Sequence, residues 1–141
     1  MINDNLKLKG RLKVAINGKT VKEIDNVVVS DGKDYVASRM KDATATAMSH
    51  MAIGTGSTAA ASSDSALGSE AGRVSLTSTT VSSNEVEYVA TFGAGTGTGA
   101  ITEAGIFNAA SSGTLLCRTV FSVVNKGSSD SMTITWTVTV S

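Results

Sequence analysis

The sequence predicts an all-β fold: an antiparallel β-sandwich or jelly-roll-like barrel of about eight strands, with one short helix near residues 31–42. Three observations predict it. Apolar and polar residues alternate strictly in several segments, most plainly from Met132 to Val140, and a period of two belongs to a half-buried strand. Turn signals such as Asn17-Gly18 and Ser82-Ser83-Asn84 punctuate the chain at short intervals. About eight such segments follow one another at regular short spacing, the signature of a sandwich, jelly roll or barrel.

The elements follow in order. Residues 6–16 place Leu6, Leu8, Leu12, Val14 and Ile16 on one face and Lys7, Lys9, Arg11 and Lys13 on the other. Asn17-Gly18 marks a hairpin, because both residues tolerate positive φ. A three-residue loop from Asn17 to Lys19 pairs Arg11 with Asp25, Leu12 with Ile24, Lys13 with Glu23 and Val14 with Lys22. Two of those pairs set opposite charges across from each other, worth a few tenths of a kcal/mol each. Val27, Val28 and Val29 continue the second strand. Asp31-Gly32 then breaks the pattern, and residues 31–42 space Tyr35, Val36, Arg39 and Met40 as one helix face, with Ser30 or Asp31 as N-cap. That face is expected to cover one end of the sheet.

Met48 to Gly54 reads as a short apolar strand, followed by a long loop of small residues in which Leu67 is the anchor. Arg73 to Val81 and Glu85 to Phe92 read as two strands. The second turns Val86, Tyr88, Ala90 and Phe92 inward and Glu85, Glu87 and Thr91 outward. The glycine run from Gly93 to Gly99 is a turn or flexible loop, and Ile101 to Asn108 and Leu115 to Val124 are two more strands. The closing strand turns Met132, Ile134, Trp136, Val138 and Val140 inward, with Trp136 as central anchor, and Thr133, Thr135, Thr137 and Thr139 outward.

The 141 residues fit one domain, in which residues 1–42 form a leading hairpin and helix packed on a sandwich of residues 48–141. Aromatic residues are only 4% of the chain, so the core is thin for its length and suits completion by a partner. Acidic and basic residues balance to a net charge of zero, which gives no bulk pull toward nucleic acid or anionic membrane. Nine of the twelve basic residues nevertheless lie in the first 42 positions, leaving a later surface of Ser, Thr, Gly and Ala that costs little to desolvate. No segment has the length and apolarity of a membrane span, the N-terminus lacks the apolar run of a signal peptide, and a soluble protein is expected.

Constellations with chemical potential are few. Gly54-Thr55-Gly56-Ser57-Thr58-Ala59 follows an apolar strand and matches a dinucleotide fingerprint, but no helix and parallel strand follow to complete a phosphate site. The sole histidine, His50, and the sole cysteine, Cys117, form the one arithmetically available nucleophilic pair, and Cys117 reads as a buried structural thiol in a strand. Zinc requires three or four N/S ligands, more than the sequence supplies, and no calcium loop is present. No catalytic residue, metal or cofactor is expected. The candidate partner-contact residues are the basic stripe Lys7, Lys9, Arg11 and Lys13 and the threonine row Thr133, Thr135, Thr137 and Thr139. The stripe alone also reads as a solvated strand face neutralised by Glu23 and Asp25, and lysine on an edge strand guards against uncontrolled pairing.

The order of landmarks AIGTGSTAA, SALGSEAGRVSLTSTTV, VATFGAGTGTGAITEAGIFNAASSGTLLCRTVF and MTITWTVTVS resembles that of a small virion protein of tailed bacteriophages. The leading GRLKVAINGKTVKEIDNVVVSDGKDYVASRM is similar to the hairpin and helix of the same group, so the resemblance spans nearly the whole chain. It implies a non-enzymatic structural component at the surface of the phage particle, made in the cytoplasm of the bacterial host. The short chain lacks the repeats and heptads of a fibre shaft, and so resembles a capsid decoration (cement) protein binding across capsid subunit seams. A tail, neck or baseplate/fibre-associated module for host attachment is the alternative. The implied partners are the major capsid protein or another virion protein, together with further copies of the chain as a dimer or trimer.

Overall fold

A computed structural model describes residues 6–41 and 45–141. Ten strands and one helix follow in order: β1 (Leu8–Ile16), β2 (Lys19–Asp25), β3 (Val27–Val28), α1 (Ser30–Lys41), β4 (His50–Gly54), β5 (Glu70–Ser75), β6 (Ser78–Ser82), β7 (Glu85–Phe92), β8 (Gly99–Phe107), β9 (Leu115–Lys126) and β10 (Met132–Val140). They form two five-stranded sheets, in the orders β2-β1-β10-β7-β6 and β3-β9-β8-β4-β5. Every neighbouring pair is antiparallel. Both sheets keep free edges, so the architecture is a sandwich and not a closed barrel.

The expected eight strands become ten because two of them change sheets. The second strand leaves the first sheet at Asn26, whose amide donates to the Gly10 carbonyl at 3.0 Å; Val29 then donates to Leu116 of the second sheet at 3.2 Å. The segment from Arg73 to Val81 divides in the same way. Leu76 donates to Ser49 at 2.9 Å while the next amide, Thr77, donates to Val89 in the other sheet at 2.7 Å. No glycine or proline marks either corner, so each segment reads as unbroken. The leading hairpin belongs to the first sheet, where β1 lies between β2 and β10.

Within the hairpin the paired residues are those the charge pattern selects, Arg11 with Asp25, Leu12 with Ile24, Lys13 with Glu23 and Val14 with Lys22. The loop is shorter than expected. Asn17 and Gly18 both adopt positive φ (50° and 83°), and Ile16 pairs with Lys19, which makes a two-residue turn. The register is restored by an irregularity that leaves Val21 unpaired opposite the step from Val14 to Ala15.

Helix α1 begins at Ser30, where Lys33 donates to the Val29 carbonyl and the Ser30 amide donates to Ser62. Tyr35 and Val36 pack against the core, and the Tyr35 hydroxyl accepts from the Met48 amide at 3.3 Å. Arg39 and Met40 do not share that face's burial: Arg39 donates to the Ala45 carbonyl, and Met40 is 76% exposed. The helix is docked through its first turns, where buried Gly32 lies against Leu116 of β9, and its last turn reaches solvent. Asp42, expected as the last helical residue, lies outside the described residues.

The core between the sheets joins Leu12, Val14, Phe92, Ile134 and Trp136 from the first sheet to Met51, Ile53, Ile101, Ile106 and Cys117 from the second. Trp136 is fully buried there, and its indole N–H donates to Asn26 Oδ1 at 2.9 Å. The Asn26 amide occupies the space over Gly10: a Cβ at Gly10 would stand 1.7 Å from that same Oδ1. Strand alternation turns Ala52, Phe107 and Leu115 to the opposite side of the second sheet, where they join Val29 in a smaller cluster closed by Leu67. Leu67, the one large apolar side chain between Thr55 and Ser69, thus anchors the long loop.

Candidate functional site

The outer face of the first sheet brings the two sequence-predicted sets together. Because β1 pairs with β10, Lys9 lies opposite Thr139, Arg11 opposite Thr137 and Lys13 opposite Thr135. On the far side of β10, Glu85 lies opposite Thr139 and Glu87 opposite Thr137. Beyond β1, β2 contributes Asp25 beside Arg11 and Glu23 beside Lys13. The face is therefore banded across its strands: acidic on β2, basic on β1, hydroxyl on β10, acidic on β7 and hydroxyl on β6. Lys7 prolongs the basic band, since its backbone exchanges hydrogen bonds with Ser141 at 2.7 and 2.8 Å. Thr133 closes the other end of the threonine row and bonds Thr91 at 3.0 Å between hydroxyls.

Side-chain length gives this face its relief. Threonines are short, and long basic and acidic side chains stand on either side of them. The result is a depression of about 790 Å³ with Thr135, Thr137 and Thr139 as its floor and Lys9, Arg11, Lys13, Glu85 and Glu87 among its walls. Arg11 Nη1 donates to Asp25 Oδ1 at 2.8 Å, and Thr139 Oγ1 donates to Glu85 Oε2 at 3.2 Å. Among the described residues, Lys9, Lys13 and Glu87 make no ion pair. Such a face suits contact with a polar surface carrying both signs of charge.

The single histidine and single cysteine are not brought together. His50 Nδ1 lies 2.8 Å from the Ser49 hydroxyl and Nε2 lies 3.4 Å from the Ser75 hydroxyl, whereas Cys117 is in the core with β8 between their strands. Burial pushes the Cys117 thiol well above its ordinary value. Among the described residues no group of three or more His, Cys, Asp or Glu side chains is placed to hold a metal ion.

The outer face of the second sheet holds what sequence reasoning missed. Glu103 is fully buried and accepts five hydrogen bonds: from the amides of Gly56 (2.7 Å), Gly68 (2.8 Å) and Ser69 (2.7 Å), and from Arg118 Nε (3.1 Å) and Nη2 (2.9 Å). Arg118, also buried, reaches Asp64 Oδ2 at 2.9 Å and the Thr58 carbonyl at 3.0 Å. Burial by itself raises the Glu103 carboxyl; the Gly68 and Ser69 amides, the Arg118 guanidinium and the Gly56 amide outweigh it and hold the group below its ordinary value. The network fastens residues 55–69 over the sheet. It also explains the glycines that imitate a dinucleotide fingerprint. A Cβ at Gly56 would stand 2.4 Å from Glu103 Oε2, so the loop's amides cradle an anion supplied by the protein itself.

No known protein family, characterised protein or solved structure matches the chain.

Proposed function

We propose that this protein is a non-enzymatic structural component of a tailed-phage virion, a capsid decoration protein that binds across the seams between capsid subunits through the open face of its first sheet. One observation carries the reading: among the described residues, one outer sheet face is covered by the chain's own loop and the other is open, banded with charge and threonine, on strands packed around a Trp136-centred core. A polar face with a threonine floor between charged walls suits many identical contacts with a repeating surface, where occupancy stabilises the shell by mass action without chemistry. The order of landmarks from AIGTGSTAA to MTITWTVTVS supports the same class. Those landmarks include Glu103 and Trp136, the residues that fix the loop and the core.

Cryo-electron microscopy of the particle that carries the protein tests the proposal. The expected result is density over capsid subunit seams, with the threonine row of β10 turned toward the shell. Density confined to tail, neck or baseplate replaces decoration with the host-attachment reading.

A further inference from the structure

The two sheets have four edges, and three of them are built against further pairing. Strand β2 carries Lys19, Lys22, Glu23 and Asp25 and the irregularity at Val21. Strand β3 is two residues long. Strand β5 carries Glu70 and Arg73, joined as an ion pair, and a register shift against β4. Charge, shortness and bulges are the ordinary means of blunting a sheet edge. Strand β6 has none of them. Its five residues, Ser78, Thr79, Thr80, Val81 and Ser82, are uncharged and exposed throughout, and they pair with β7 in unbroken register. Val81 is 71% exposed on the side of the sheet that Tyr88 and Val86 share with the core.

The sequence of this strand is also nearly the same in both directions. Laid antiparallel on a second copy about Thr80, it sets Ser78 against Ser82, Thr80 against Thr80, and Val81 against Thr79, so each residue meets one of equal or similar size. β-Branched residues paired across strands are favourable, and no like charges meet in the first row. Two-fold symmetric contacts require a surface complementary to itself, which this register provides.

We infer that β6 is a self-pairing edge: two copies of the chain join antiparallel through Ser78–Ser82, centred on Thr80, to make one continuous ten-stranded sheet. The twofold axis of antiparallel pairing stands perpendicular to the sheet, so both open faces lie on one side of the joined sheet, turned relative to each other by its twist. Six strands from one β10 to the other place the two threonine rows roughly 24 Å apart. Two like faces on one rigid body also raise the effective concentration for a second contact. The pairing itself concerns the free protein and stands whether or not the partner is a capsid.

Sedimentation over a concentration series, using purified protein and no particles, is the test. The expected mass is twice 14.3 kDa, falling to monomer on dilution. Thr80→Lys sets two ammonium groups across the axis and is expected to abolish the dimer while keeping the circular-dichroism spectrum and melting as the unsubstituted protein does when diluted to monomer. Thr80→Cys, treated with a short thiol-reactive crosslinker, is expected to give a covalent dimer, while Glu23→Cys on the guarded edge does not; native Cys117 is buried and does not interfere. A monomer at every concentration overturns the inference. So does a dimer that survives Thr80→Lys, or one that Thr80→Cys fails to crosslink.

Discussion

The two outer faces of this sandwich arise from the same strand alternation and end in opposite states. On the second sheet, Ala52, Glu103, Phe107, Leu115 and Arg118 are fully or almost fully buried, Glu103 and Arg118 by bonds to residues 55–69 and the Phe107 ring beneath the Arg73 guanidinium at 3.8 Å. On the first, Lys9, Arg11, Lys13, Glu85 and Glu87 stand in solvent around a threonine floor. The charges behave accordingly. Glu103 has five donors and a buried guanidinium, whereas Arg11 and Asp25 form one pair whose side chains are 58% and 81% exposed. The contrast teaches that a chain poor in aromatics can use its own loop as a third layer on one side. The undressed sheet on the other side is then left to solvent.

The largest effect expected from this contrast follows Glu103→Gln. The substitution keeps the shape but turns an amide N–H₂ toward groups that are all donors, and it leaves Arg118 buried with Asp64 as its remaining anion. Removing one member of a buried pair costs about 3–5 kcal/mol. Urea denaturation measures that loss, and limited proteolysis is expected to cut residues 55–69 first. A loss under about 1 kcal/mol, well below that range, would mean that the loop is held without the Glu103 carboxylate.

Acid probes the same lock without mutation. The folded Glu103 carboxyl sits below its ordinary value of 4.5, so the unfolded chain takes up the proton first. The stabilisation is complete above pH 4.5 and is lost as pH falls through the lower folded value. The gap in melting temperature between the protein and Glu103→Gln is therefore expected to hold steady at neutral pH and to narrow below 4.5. The exposed Asp130, also held down by Asn17 and the Gly127 amide, titrates alike in both proteins and cancels in the difference.

What could be read from the sequence divides along the same line. The open face was largely legible, because alternation assigns each Lys and Thr to a side and the opposite charges of Arg11 with Asp25 and Lys13 with Glu23 select the hairpin register, although the irregularity at Val21 that restores it has no signal. Its assembly was not: the basic and threonine rows come from opposite ends of the chain, and only the pairing of β1 with β10 makes them neighbours. The corners at Asn26 and at Leu76-Thr77 escaped because a sheet change needs only a redirected amide, which no residue type announces. The covered face escaped because Glu103 and Arg118 look like isolated charges. The available signal was a charge inside a largely uncharged, apolar-rich run, Glu103 in Ile101 to Phe107 and Arg118 in Leu115 to Phe121, since strands buried on both faces lose their alternation. Gly10, which leaves room for the Asn26 amide over Trp136, has no signature beyond its break in the Leu8, Leu12, Val14 pattern.

A smaller effect separates surface pairing from buried pairing. A double-mutant cycle with Arg11→Ala and Asp25→Ala is expected to give a coupling of about 0.2–1 kcal/mol, screened by added salt. A coupling as large as that at Glu103 would erase the distinction between the two faces.

The smallest effect on stability, and the most informative about function, belongs to Thr137→Lys. Thr137 is half-buried only because Arg11 and Glu87 flank it, and a lysine there can extend its ammonium into solvent beside Glu87, so stability is expected to stay within about 0.5 kcal/mol. The depression, however, loses its floor and gains a charge at its centre. A partner surface matched to hydroxyls must then desolvate an ammonium group, and attachment to the particle is expected to weaken although the fold and its melt are unchanged. A binding isotherm against particles stripped of the protein reads this directly. Undiminished attachment of Thr137→Lys would reduce the open face to scaffold and move the search for the contact to the remaining exposed surfaces, the β6 edge first.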